Sequence, residues 1–210
     1  MSCWREACRP AAVLVLALMA APPAPGADPA SFGARPGSLV LDPGPGPGAE
    51  AAAADGPWRV VTDRVMGGVS AARMQRETRD GRECLCLHGE VSLENNGGFV
   101  QLSLDLAPDG GTLDASAYAG VELLVHGNGE RYGVHLKTAD LTAPWQSYRA
   151  EVRADPQWRT VRLAFADFAP HRTAAPLDTR RLRRLGLVAI GRAFSARICV
   201  AGAALYPGAP

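Results

Sequence analysis

Residues 84–93 read Cys84-Leu85-Cys86-Leu87-His88-Gly89-Glu90-Val91-Ser92-Leu93. Leu85, Leu87, Val91 and Leu93 share one parity, and Cys84, Cys86, His88 and Glu90 share the other. Successive side chains of a strand point to opposite faces, so this is the pattern of a strand with one buried face. The same period recurs on either side. Val121, Leu123 and Val125 alternate with Glu122, Leu124 and His126, and Tyr132, Val134, Leu136 and Thr138 with Gly133, His135 and Lys137. Val161, Leu163 and Phe165 alternate with Arg162 and Ala164, and Phe194, Ala196, Ile198 and Val200 with Ser195, Arg197 and Cys199. Turn chemistry separates the runs at Asn95-Asn96-Gly97-Gly98, Asp109-Gly110-Gly111, Gly127-Asn128-Gly129 and Asp155-Pro156. The Gly127–Gly129 turn, between two alternating runs, predicts a hairpin. Leu185–Gly191 is more continuously apolar and suits a strand near the middle of a sheet. No segment keeps a helical period over three turns. The reading is an all-β domain over residues 56–207, a two-sheet sandwich.

Toward the N-terminus the pattern changes. Arg5 and Arg9 precede an apolar stretch, Ala11–Ala20, which small residues follow to Ala27. These three parts predict a secretory signal peptide over residues 1–27, cut near residue 20 or 27, and a periplasmic or secreted protein. The apolar run falls short of the roughly 18 residues needed to span a bilayer, so no transmembrane segment is expected. Cys3 and Cys8 would leave with the leader. From Pro22 to Pro57, 16 of 36 residues are Gly or Pro, and Pro43–Gly48 alternates the two strictly. So little apolar content cannot offset the entropy of ordering, and residues 28–55 are expected to form a flexible linker.

Composition removes several functions. The 22 basic and 21 acidic side chains leave a net charge of +1, without the basic excess of a nucleic-acid binder. A 47% hydrophobic content excludes wholesale disorder. There is no G-x-S-x-G, H-E-x-x-H or phosphate-binding loop, so neither an enzyme nor a bound cofactor is expected. Arg180, Arg181, Arg183 and Arg184 form the one dense basic cluster and read as a solvated loop.

Three groups of residues carry candidate chemistry. Asp63, Met66 and Ser70, with Asn95 and Asn96, are turn formers that could also line a binding rim at one end of the sandwich, where loops cluster. His135, Lys137, Trp145, Arg149 and Glu151 alternate away from the core, and an aromatic plane beside hydrogen-bonding groups is how a sandwich holds a sugar ring. Cys84, Cys86 and His88 share a strand face, which could bind Cu(I) or zinc. Ligands about 6.5–7 Å apart in succession cannot close a tetrahedron alone, however, so no metal is assigned. The outcomes left open are unpaired thiols or a disulfide of Cys199 with Cys84 or Cys86.

Two blocks carry a resemblance. The first is Asp63-Arg64-Val65-Met66-Gly67-Gly68-Val69-Ser70, with Trp58 ahead of it. The second runs from Leu87 through Gly89-Glu90-Val91-Ser92 to Asn95-Asn96-Gly97-Gly98-Phe99. Together they resemble the complex I intermediate-associated protein 30 family, whose pattern is D-x-x-M-G-G-x-S, then G-x-(V/I)-S leading into N-N-G-G-F. Gly127-Asn128-Gly129 before Tyr132, the run Trp158–Phe168, and Phe194 match later positions, so the resemblance covers residues 58–207. It implies a galactose-binding-like jelly-roll sandwich and a binding scaffold. The family's best-known members are assembly factors for respiratory complex I, with no established catalytic activity. Some relatives fuse the module to a dinucleotide-binding domain; no G-x-G-x-x-G in a βαβ context occurs here. Mitochondrial members act on the matrix side, whereas this leader reads as an export signal of a bacterial-type member. The expectation is a protein-binding or assembly module of the cell envelope, with respiratory-chain subunits as partners the resemblance implies. The alternative is a periplasmic carbohydrate-binding module with a glycan partner.

Overall fold

The computed structural model describes residues 32–33, 36–45, 57–107 and 109–208. The expected signal peptide and much of the expected linker lie outside them. Twelve strands follow in chain order. They are β1 (Leu39–Asp42), β2 (Trp58–Thr62), β3 (Ala71–Arg79), β4 (Arg82–Val91), β5 (Phe99–Asp105) and β6 (Tyr118–Gly127). Then come β7 (Arg131–Thr138), β8 (Ser147–Arg153), β9 (Arg159–Ala164), β10 (Ala169–His171), β11 (Leu182–Ile190) and β12 (Phe194–Pro207). Among the described residues only short 3-10 turns interrupt them, and no helix is long and apolar enough to cross a membrane.

The strands form two antiparallel sheets, the jelly-roll sandwich the sequence pattern implies. One is ordered β3-β4-β12-β6-β9, with β1 also on β12; the other is ordered β10-β8-β7-β11-β5-β2. Parity decides which side chains enter the core between them. Leu85, Leu87, Val121, Leu123, Val125, Ile198 and Val200 of the first sheet meet Leu102, Leu104, Val134, Leu136, Leu185 and Leu187 of the second. The continuously apolar run becomes β11, which lies between β7 and β5 near the middle of its sheet. Leu93 departs from its expected parity: β4 ends at Val91, and Leu93 is 53% exposed in the following loop.

Two expectations need correction. The Gly127–Gly129 turn is not a hairpin, because β6 belongs to the first sheet and β7 to the second. Its amides are satisfied at another corner of the fold: Gly127 N–H donates to Asp155 O at 2.8 Å, and Gly129 N–H to Ala154 O at 2.7 Å. The Tyr132 hydroxyl donates to Asn128 Oδ1 at 2.6 Å and accepts from Arg197 N–H at 2.9 Å, fixing this crossing. A turn whose hydrogen bonds go elsewhere leaves its two strands free to separate.

The second correction concerns the stretch expected to be a tether. Leu39–Asp42 is a strand, pairing Leu39 with Leu205 and Val40 with Ala204 on β12. Asp42 is buried, and its carboxylate accepts from Trp58 Nε1 at 2.6 Å and from Gly44 N–H at 3.0 Å. Farther back, Gly33 N–H donates to Glu122 Oε1 at 2.7 Å, and Phe32 packs on the outer face of the first sheet. Gly/Pro content hid a short apolar Leu-Val-Leu run long enough to add one strand. Asp42→Ala would leave the Trp58 indole N–H buried without its acceptor, which costs about 1–3 kcal/mol. The expected outcome is a lower thermal midpoint in calorimetry; a residue in a free tether would leave it unchanged.

Candidate functional site

Asp63 opens a 3-10 turn, Asp63–Met66, which Gly67 ends in the left-handed region at φ 89°. The turn points the Asp63 side chain inward, where it is fully buried. Its carboxylate accepts from the Ser70 hydroxyl, from Ser70 N–H at 3.0 Å, from Gly98 N–H at 2.6 Å and from Phe99 N–H at 3.3 Å. Burial opposes the charge, but these donors outweigh it and hold the carboxyl below the usual carboxylate range. Gly68 and Gly97 pass so close that a Cβ on either would overlap the carboxyl group. Ser70 is also fully buried, and its Oγ accepts from Ser92 N–H at 3.0 Å. Asp63 and Ser70, both candidate ligand residues, are therefore the internal clamp between the 63–70 and 92–99 loops. Neither presents a group to a partner.

The clamp leaves other residues outside. Asn95 and Asn96 are exposed, with φ 55° and 57°, a left-handed conformation that asparagine tolerates. Met66 is 64% exposed, and Val65, Val69 and Leu93 on the same two loops are also exposed. Pure turn-forming loops have no need of four exposed apolar side chains. Val65, Val69 and Leu93 were missed in the sequence because Val65 and Val69 sit among the turn residues of the first block and Leu93 continues the alternation of residues 85–91.

The sugar-binding candidates lie on the outer face of the second sheet. His135 on β7 faces Arg149 on β8, and Glu151 faces Gly133. Lys137 lies beside Arg184 on β11. His135 is buried to 8% exposure; that burial, with Arg149, Lys137 and His171 adding repulsion, pulls its pKa down to about 3. It is a neutral imidazole at ordinary pH. Lys137 Nζ donates to Pro144 O and, at 3.0 Å, to Gln146 O, so it holds the loop from which Trp145 projects. Glu151 is engaged with Arg131 at 3.5 Å on the exposed rim. Four of the five candidates thus share one face, with Trp145 on the loop that joins their strands.

Each arginine of the dense cluster already has a partner. Arg180 pairs with Asp178, Arg181 with Asp140 and Arg184 with Asp105, while Arg183 donates to Gly110 O. The outer face of the first sheet holds a feature that sequence reading missed. A groove of about 670 Å³ lies over β3, β4 and β12, walled by Arg73, His88, Glu90, Asn128 and Arg197. Its register sets Arg73 and Arg197 on either side of His88. Outward parity was visible for Arg197, but its neighbours depend on strand order, which the alternation does not encode. Beside the groove, Cys86 and Cys199 are cross-strand partners joined in a disulfide, and Cys84 is a buried thiol. Burial pushes that thiol up to about 11, with the Glu77 charge adding to the shift.

The family model described as Complex I intermediate-associated protein 30 matches residues 49–198. No curated protein sequence matches the chain. Similar solved structures include the family 11 carbohydrate-binding module of the cellulosomal cellulase Lic26A-Cel5E of Clostridium thermocellum. That likeness has TM-score 0.64 and 12% identity, over 83% of this chain and 96% of that one. The Clostridium thermocellum family 11 module in complex with a beta-1,3-1,4-mixed-linked tetrasaccharide gives 0.63 and 12%, over 81% and 96%. A family 30 carbohydrate-binding module gives 0.52 and 14%, over 68% and 84%. At such identities the likeness is one of fold.

The clamp makes a pH-dependent prediction. The folded pKa of Asp63 lies below its ordinary value of 3.8, so its contribution is fully present above that value and is lost as pH falls through the folded one. Asp63→Asn sets an amide against backbone donors and is expected to destabilise the fold by about 2–4 kcal/mol at neutral pH. In urea titrations the gap between the two proteins should narrow once the pH drops below about 4; a gap independent of pH would remove the ionised clamp.

Proposed function

We propose that this chain, which belongs to the complex I intermediate-associated protein 30 family, is an exported, non-catalytic module that docks a protein partner in the cell envelope. One observation carries the reading: exposed Val65, Met66, Val69 and Leu93 stand on two loops that a buried carboxylate makes rigid. Apolar side chains held in place before binding lose little entropy when a partner covers them, which is how interface anchors gain affinity. Exposed Asn95 and Asn96 supply a polar rim beside them. The family's name supports an assembly role, and Arg5 and Arg9 ahead of Ala11–Ala20 support export.

A carbohydrate reading stands second, favoured by Trp145 at 59% exposure on the loop that joins the strands of neutral His135 and of Arg149. An indole plane next to uncharged and cationic donors suits a sugar ring.

The two readings use different surfaces, so paired variants separate them. Met66→Asp with Leu93→Asp places charge on the loop end without touching the core. Trp145→Ala removes the ring from the other face. Partners captured by the tagged chain from envelope fractions are expected to be lost at least 10-fold in the loop variant, on the order of 1.4 kcal/mol, and retained in Trp145→Ala, with both proteins melting as the parent does. Binding of mixed-linked glucan oligosaccharide that Trp145→Ala abolishes, with protein capture unchanged by the loop variant, would reverse the order.

A further inference from the structure

The outer face of the first sheet carries a small apolar layer of its own. Cys84, Cys86 and Cys199 are fully buried there with Leu124 and Ala201, against Phe32 and Trp158. Parity places Cys84 and Cys86 on one face of β4, and register sets Cys199 of β12 opposite Cys86. The three Sγ atoms lie within 4.8 Å of one another. Two are joined, and the third, Cys84 Sγ, stands 3.6 Å from that of Cys86 while its thiol points to Glu77 O at 3.2 Å. A structural bridge requires two of these sulfurs. It gives no reason for the third.

We propose that the reduced chain binds one Cu(I) ion through Cys84, Cys86 and Cys199 as a three-coordinate thiolate site, of which the Cys86–Cys199 disulfide is the metal-free, oxidised form. Reduction by a dithiol transfers two electrons and two protons: the S–S bond breaks, Cys86 and Cys199 become thiols, and the dithiol closes to its own disulfide. Binding then replaces each of three S–H bonds by a Cu–S bond, releases three protons to solvent, and leaves copper in its monovalent state.

The donor set selects the ion. Thiolates favour soft cations such as Cu(I), and structural zinc demands four ligands. The nearby alternatives for a fourth are engaged elsewhere or stand outside the cluster. Glu77 and His88 approach Cys86, but the Glu77 carboxylate already pairs with both His88 and Arg79. His126, the register partner of Cys199 on β6, has a buried Nδ1 without a partner among the described residues, yet lies outside the three-sulfur cluster. Three sulfurs in a dry, apolar pocket satisfy Cu(I), which needs neither water nor a fourth donor.

The test uses the full chain with Cys3→Ser and Cys8→Ser, so that these are its only cysteines. A phosphine reduces the disulfide, taking oxygen from water to become its oxide, and is removed under nitrogen before Cu(I) is titrated against a coloured Cu(I) chelator. The reduced chain is expected to withhold one Cu(I) per molecule and develop a near-ultraviolet thiolate-to-copper band, and the oxidised chain to withhold none. Cys84→Ala keeps the disulfide and should melt as the parent does when oxidised. Reduced, its copper affinity should fall by more than about 100-fold, beyond the range seen when only an outer-shell partner is lost. The proposal is overturned by unfolding on reduction, by copper affinity that ignores Cys84→Ala, or by equimolar Zn(II) displacing the copper.

Discussion

A single ionised carboxylate with nearly every acceptor position filled organises one end of this sandwich. Asp63 takes its donors from Ser70 on its own loop, from Gly98 on the loop between β4 and β5, and from Phe99 at the start of β5. Those loops enter and leave different sheets, β2 and β5 in one, β3 and β4 in the other. The clamp therefore fixes how the sheets meet as well as the loops themselves. A buried charge is tolerated only when its hydrogen bonds are complete, and the two glycines that would otherwise collide with the carboxyl are the condition for completeness. The D-x-x-M-G-G-x-S and N-N-G-G blocks are thus two halves of one local structure.

Rigidity from that clamp has a consequence on the outside. Asp63 and Ser70 are spent on the interior, and what the loops leave outside is apolar Val65, Met66, Val69 and Leu93 with the exposed amides of Asn95 and Asn96 beside them. The buried motif residues specify the shape of the end of the sandwich, and the exposed side chains, Met66 of the motif among them, specify what can bind there. Family membership consequently speaks strongly about architecture and only coarsely about the partner, as expected where function resides in a site carried by a widely used fold.

Much of the fold was legible because alternation with a period of two maps directly onto burial, and β4, β6, β7, β9 and β12 put their expected apolar faces toward the core, with Leu93 beyond the end of β4 as the exception. Strand order was not legible. Whether Gly127–Gly129 folds a strand back or sends it across depends on hydrogen bonds to Ala154 and Asp155, remote in sequence. For the same reason the Arg73–His88–Arg197 row and the pairing of Cys199 with Cys86 rather than Cys84 emerge only from register. Glycine and proline content misled at β1, where composition averaged over a long stretch concealed Leu39–Asp42. At the clamp, Asp63 and Ser70 were the right residues for the wrong reason, since turn formers and ligand residues share one chemistry until burial separates them.

The outer faces of the two sheets divide the remaining roles by their dielectric. On the first, Phe32 and Trp158 roof the cysteine layer, and even Glu122 is buried against Arg162 and Gly33. That layer, unlike the charged groove beside it, favours soft, desolvated chemistry and disfavours a hydrated ligand. On the second, burial keeps His135 neutral, with the charges of Arg149 and Lys137 adding to the effect. A face that suppresses protonation of its central ring while keeping cations at its edge presents donors in a fixed pattern over a wide pH range. That arrangement fits a ligand read by hydrogen bonds and leaves the apolar loop end as the surface where area burial, with no need of charge, would drive association.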